Sequence, residues 1–193
     1  MHGQPTSQVS QGRARLVVAI TARALFHLED GHQVYQAQGI DAYASYQRAR
    51  ENEPLAAGIA FPLVTKLLAL NRGAAADSPR VEVVLLSRNS SDTGLRILNS
   101  IEHYGLTISR AVFTSGAEVY PYIKPFDAQL FLSANPVSVR SALEHGIAAA
   151  TILPAEAAEQ AHPALRIAFD GDAVIFGDES ERVSQQNGLA AFH

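Results

Sequence analysis

The sequence predicts an α/β fold built on a doubly wound, mainly parallel sheet. The chain has 193 residues, of which 47% are hydrophobic and 18% charged, as is typical of a globular domain with a sizeable core. Short β-like runs alternate with helical patterns, and this alternation is typical of parallel sheets covered by helices. The β-like runs are Leu16–Ile20, Val81–Leu86, Ala111–Thr114, Ala128–Leu132, Ala148–Leu153 and Ile167–Phe169.

Helical periodicity fills most of the intervals between these runs. The predicted helix Phe61–Leu70 carries its apolar residues on one face. The predicted helix Asp92–His103 has Leu95, Leu98 and Ile101 at helical spacing. Gly105 follows this helix as a C-terminal stop, and Gly146 does the same for the last predicted helix. The predicted helices are Ile40–Arg50, Phe61–Leu70, Asp92–His103 and Pro136–His145, and Gly73–Pro79 is a loop.

Composition excludes several classes of protein. The 15 basic and 19 acidic residues give a net charge of -4. This balance predicts no general basic surface of the kind that binds nucleic acid. Cysteine is absent, which excludes disulfide frameworks and thiolate metal sites. No apolar run approaches the roughly 20 residues of a membrane span, and the polar N-terminus does not resemble a secretory signal. We therefore expect a cytoplasmic protein without a membrane partner.

Two carboxylates one residue apart follow the last apolar run, in the segment Phe169-Asp170-Gly171-Asp172-Ala173-Val174-Ile175-Phe176. An ionised Asp170 at a strand end is suited to attack phosphorus directly, and Asp172 to act as the acid and base. Their hard oxygens also suit Mg²⁺. However, Asp-Gly between apolar residues is also a signal for a β-hairpin turn, and the motif alone leaves both interpretations open.

An internal repeat accompanies this motif. The segment that starts at Leu16 aligns without a gap with the segment that starts at Leu165, at an offset of 149 positions. Thr21 and Arg23 then stand where the second copy has Asp170 and Asp172. Matching pairs include Ala19 with Ala168, Val34 with Val183, Gly39 with Gly188 and Ala42 with Ala191.

The repeat predicts two related units, although a chance alignment of two strand-turn-helix segments is the alternative. We expect residues 1–15 to be a disordered tail, residues 16–164 a degenerate first unit, and residues 165–193 the start of a second, catalytic unit. With the offset as its period, the second unit would stop about 120 residues short at His193.

Phosphotransfer of this kind also needs a hydroxyl or amide, a lysine and a further acidic group around the phosphate. Ser87 closes the apolar run Val83–Leu86, and Lys124 lies just ahead of the next strand. That strand ends in Leu132-Ser133-Ala134-Asn135 without a carboxylate. The alternatives are a turn cap for Ser87 and a solvated surface charge for Lys124.

Several groups of residues, in order along the chain, carry a resemblance to a known family: Ala24–Phe26, Tyr46–Gln47 with Glu51–Leu55, Leu95–Ile101, Leu130–Ala134, Gly146–Thr151, and Phe169–Phe176 with Asp178–Arg182. Taken together they resemble the cytosolic 5′-nucleotidase I family. The likeness extends over nearly everything from Leu16 to His193, and it favours the catalytic interpretation of the Asp-Gly-Asp segment over the hairpin.

The resemblance implies a haloacid dehalogenase-like fold, Mg²⁺ dependence, and hydrolysis of nucleoside 5′-monophosphates such as AMP in the cytoplasm. It implies that Asp170 is the nucleophile, that Asp172 is the acid and base, and that both hold the metal. The family's other motifs lie downstream of the Asp-Gly-Asp segment, so Ser87 and Lys124 look like counterparts in the degenerate first unit.

Three functions follow as expectations. The leading one is a magnesium-dependent 5′-nucleotidase acting on a nucleoside monophosphate. The second is a non-catalytic nucleotide-binding or interaction module. In the third, Asp170 and Asp172 join Ser87 and Lys124 around one phosphate in a permuted site. An open sheet edge would also favour homo-oligomers.

Overall fold

The computed structural model describes residues 15–75, 77–154 and 164–168. The chain divides into two units, residues 1–161 and 162–193. In the first unit the described strands are β1 (Leu16–Thr21), β2 (Val81–Ser87), β3 (Ala111–Phe113), β4 (Leu130–Ser133) and β5 (Ala149–Thr151). The helices are α1 (Ala22–Leu25), α2 (Glu29–Ala49), α3 (Phe61–Ala69), α4 (Ser91–His103) and α5 (Pro136–Glu144), with a 3₁₀ turn at Tyr120–Tyr122.

The five strands form one parallel sheet in the order β3-β2-β1-β4-β5. β1 lies at the centre, where Thr21 pairs with Leu86 of β2 and Ile20 with Leu132 of β4. Helices connect and flank the strands, as parallel pairing requires. The predicted α/β class with a parallel sheet is confirmed, and both ends of each of the first five predicted strands fall within two residues of the observed bounds.

The core lies against the central strands. Val17, Val18, Ala19 and Ile20 of β1 are all at most 1% exposed, and the apolar run in β2 is equally buried. Strands covered on both faces read as continuous apolar runs, because neither set of alternating side chains meets water. One packed cluster joins β1, β2 and β4 to the 3₁₀ turn and α5 through Val17, Val84, Phe131, Ile123 and Ala142.

α2 is a helical hairpin rather than a straight helix. Gly39 interrupts it with φ 83° and ψ −174°, a conformation that favours glycine. A Cβ built on Gly31 would lie 2.5 Å from Nε2 of Gln47, whereas a straight helix would separate these two residues by about 24 Å. The ring centroids of Tyr35 and Tyr43 are 6.2 Å apart across the same bend. Residues 29–38 and 40–49 therefore run back along each other.

Three sequence predictions need correction. Residues 29–38 were not predicted as helix, because most of them are exposed and they carry no apolar stripe. In α4, Leu95 and Leu98 are about two-fifths exposed, and Ile97 is buried beside Ile101 instead. The strand predicted at Ile167–Phe169 is not formed at residues 167 and 168, and Phe169 lies outside the described residues. An apolar run becomes a strand only where a neighbouring strand pairs with its backbone.

No helix in the described segments is both long and apolar enough to cross a membrane.

Candidate functional site

The carboxyl ends of β1, β2 and β4 meet at the centre of the sheet. The chain leaves β1 toward β2 and β3 on one side and later places β4 and β5 on the other. In open α/β sheets, such a switch point leaves a crevice outside the strand ends, and ligands bind there. The candidate site is therefore the edge formed by Thr21, Ser87 and Ser133, the last residues of these three strands.

Thr21 and Ser133 hydrogen bond to each other across this edge. The Oγ1 of Thr21 donates to the Oγ of Ser133 at 3.3 Å, and the backbone N–H of Asn135 donates to the same Oγ at 3.0 Å. Ser133 is 1% exposed. The predicted phosphotransfer chemistry calls for carboxylates at the ends of β1 and β4. In this unit the two strand ends carry the neutral hydroxyls of Thr21 and Ser133 instead.

Ser87 ends the strand on the other side of β1 and is also buried. Its Oγ accepts a hydrogen bond from the backbone N–H of Asn89 at 3.2 Å, and its carbonyl accepts one from the N–H of Thr114 at 2.8 Å. A turn-capping role, one of the two predicted for Ser87, accounts for these contacts. The residue nevertheless remains at the candidate edge.

The basic residues nearest the edge are paired. Arg88 donates through Nε and Nη2 to the carbonyl of Gly116 at 3.1 and 2.8 Å, and its Nη1 lies 3.3 Å from a carboxylate oxygen of Glu118. Arg23, which aligns with Asp172, lies 3.3 Å from Glu29. Both pairs are exposed, so each adds little stability and leaves its arginine able to turn toward a ligand.

Lys124 is exposed in the turn after the 3₁₀ segment. Its carbonyl accepts a hydrogen bond from the N–H of Asp127 at 2.8 Å. Within the described part of the chain, no hydrogen bond or ion pair joins its side chain to Ser87 or Ser133.

Asp170 and Asp172, the predicted nucleophile and acid/base, lie outside the described residues. Their roles, and the permuted site that would join them to Ser87 and Lys124, stay predictions. Among the residues that the structure does describe, no three His, Asp or Glu side chains stand close enough together to hold a metal ion.

A buried polar cluster that the sequence did not predict ties the helical hairpin to α4. Gln47 is 2% exposed, and Nη1 of Arg96 donates to its Oε1 at 3.3 Å. Burial raises the pKa of Tyr43, while hydrogen bonds with the side chains of Gln47 and Thr93 oppose that rise. Thr93 lies in the first turn of α4, just after the Ser87 edge, so the cluster links the hairpin to the helix beside the candidate site.

The spacing of Tyr43 and Gln47, four residues apart in a helix, was the available signal for this cluster. Polar residues at this spacing are common on solvated helix faces as well. Only the contact with Thr93 and Arg96, about 50 positions away, distinguishes the buried pair from an exposed one.

Two comparisons with known proteins point to the same family. A family model described as 5'-nucleotidase matches residues 8–193. Human cytosolic 5'-nucleotidase 1B is 36% identical over 182 residues, which is 92% of this chain and 30% of that protein. These two matches confirm the resemblance seen in the sequence. Among solved structures, the HAD domain of the effector protein Lem4 from Legionella pneumophila aligns over 93% of this chain and 97% of that domain, with 11% identity and a TM-score of 0.44.

Proposed function

Because the chain belongs to the 5'-nucleotidase family, we propose that the protein hydrolyses nucleoside 5′-monophosphates, such as AMP, to nucleoside and phosphate. The chain spans 30% of the length of its human relative, so activity, substrate and a cytoplasmic location are proposed for the protein as a whole. The haloacid dehalogenase-like architecture implied by the sequence resemblance belongs to the same proposal.

The position of Thr21 in the sheet is the observation that links this proposal to Asp170. Thr21 is the last residue of β1 and lies at the switch point between β2 and β4. In the gap-free alignment of the two units Asp170 takes the place of Thr21. A carboxylate at that place on an equivalent strand would face the crevice in which ligands of such sheets bind.

The reaction uses the two carboxylates in different roles. The Asp170 carboxylate attacks phosphorus, and the bond from phosphorus to the nucleoside O5′ breaks as Asp172 protonates that oxygen. The nucleoside leaves, and an aspartyl phosphate remains. Asp172, now ionised, takes a proton from water as the water attacks phosphorus, and the bond to Asp170 breaks to release phosphate.

Asp170 and Asp172 also offer a donor set that fits Mg²⁺, since hard carboxylate oxygens are its preferred protein ligands. When bound, the ion would offset the repulsion between the substrate phosphate and the Asp170 carboxylate.

The second candidate function is binding of a nucleotide without turnover by the first unit. The observation that favours it is the hydroxyl character of Thr21, Ser87 and Ser133, the three strand ends of the candidate edge. Hydroxyls and backbone N–H groups hold phosphate oxygens, but this edge has no carboxylate in the position of the nucleophile.

Release of phosphate from AMP by the purified chain in the presence of Mg²⁺ tests the proposal. We expect Asp170→Asn, which keeps the shape and removes the nucleophile, to abolish activity. Asp77→Asn, at an exposed loop position, is the matched control and should retain it. Equal activity of the Asp170→Asn variant would contradict the mechanism.

If the chain turns over no AMP yet binds it, the second candidate function is favoured, and Thr21→Ala together with Ser133→Ala should weaken that binding. If both Lys124→Ala and Asp170→Asn weaken AMP binding, the permuted site is favoured. Lys124 is the discriminating residue because, in the described part of the chain, its side chain forms no hydrogen bond or ion pair with the strand ends.

A further inference from the structure

We draw no further inference here: the strongest candidate, the side-chain cluster of Ser87, Arg88 and Asn89 between the end of β2 and the start of α4, belongs to the candidate site already described at the carboxyl ends of the strands.

Discussion

The Oγ1 of Thr21 donates a hydrogen bond to the Oγ of Ser133 at 3.3 Å, across the end of the central strand pair β1 and β4. The two residues are 112 positions apart in the chain. They form a neutral pair at the place where the proposed catalytic unit needs carboxylates and a metal ion. The ends of β1 and β4 in the first unit therefore carry hydroxyls in place of charged groups.

Ser133→Asp is expected to destabilise the first unit by about 3 kcal/mol at neutral pH, because the site is buried and holds no cation to offset the charge. Burial would raise the pKa of the introduced carboxyl above its unfolded value. The folded state then binds the proton more tightly, so stability falls as pH rises from about 4 to 7. Urea unfolding at both pH values measures this change.

Ser133→Asn is the control for that variant, since it has a similar shape without the charge. It should cost less than Ser133→Asp at neutral pH and show no such dependence on pH. Equal losses for the two variants would mean that size rather than charge determines what the strand end tolerates.

The sheet could be predicted because its central strands are buried on both faces. The runs of β1 and β2 are apolar throughout, and such runs remain recognisable without knowledge of their neighbours. Gly105 and Gly146 both have positive φ, at 61° and 70°, so the predicted helix ends were also determined locally.

The hairpin and the polar contacts could not be predicted from sequence patterns in the same way. Residues 29–38 are held by contact with residues 43 and 47 after the chain turns at Gly39, and this contact leaves no apolar stripe in the sequence. The pairing of Thr21 with Ser133 depends on the strand order, which composition does not specify. The Asp-Gly-Asp motif was found by its sequence, and its two carboxylates lie outside the described residues.

Gly58→Ala is expected to destabilise the fold by about 3 kcal/mol. A Cβ at Gly58 would lie 2.6 Å from the carbonyl oxygen of Ala24 and 2.9 Å from backbone atoms of Leu25 and Phe26. Backbone atoms of α1 cannot move aside as a flexible side chain can. Chemical denaturation measures the loss.

Gly116→Ala is the comparison for this variant. Gly116 has φ 95° and open space around its Cα, so alanine there meets conformational strain alone, which costs about 1 kcal/mol. A loss at Gly58 no larger than the loss at Gly116 would contradict a rigid contact between residue 58 and α1.

Gln47→Ala is expected to cost about 2 kcal/mol of stability, because it removes the partner of Arg96 and Tyr43 at a buried position. Gln38→Ala, in the exposed part of the same hairpin, should change stability by less than about 0.5 kcal/mol. Urea unfolding of both variants gives the two values. If they are equal, the cluster does not anchor the hairpin.

Tyr43 should titrate above its ordinary pKa of 10.0, because burial disfavours the phenolate and outweighs its hydrogen bonds and nearby arginines. The difference between ultraviolet absorbance titrations of the unaltered chain and of Tyr43→Phe isolates the titration of Tyr43.

The raised pKa of Tyr43 also makes stability depend on pH. The folded state holds the phenol proton more tightly than the unfolded chain does. The contribution of Tyr43 to stability is therefore present below about pH 10 and is lost as pH rises through the folded pKa. Tyr43→Phe should remove that part of the alkaline loss, while Tyr35→Phe, at a half-exposed ring, should leave it in place. A Tyr43 midpoint at or below 10.0 would mean that the hairpin opens before the phenol ionises and that the buried cluster does not hold it against α4 in alkaline solution.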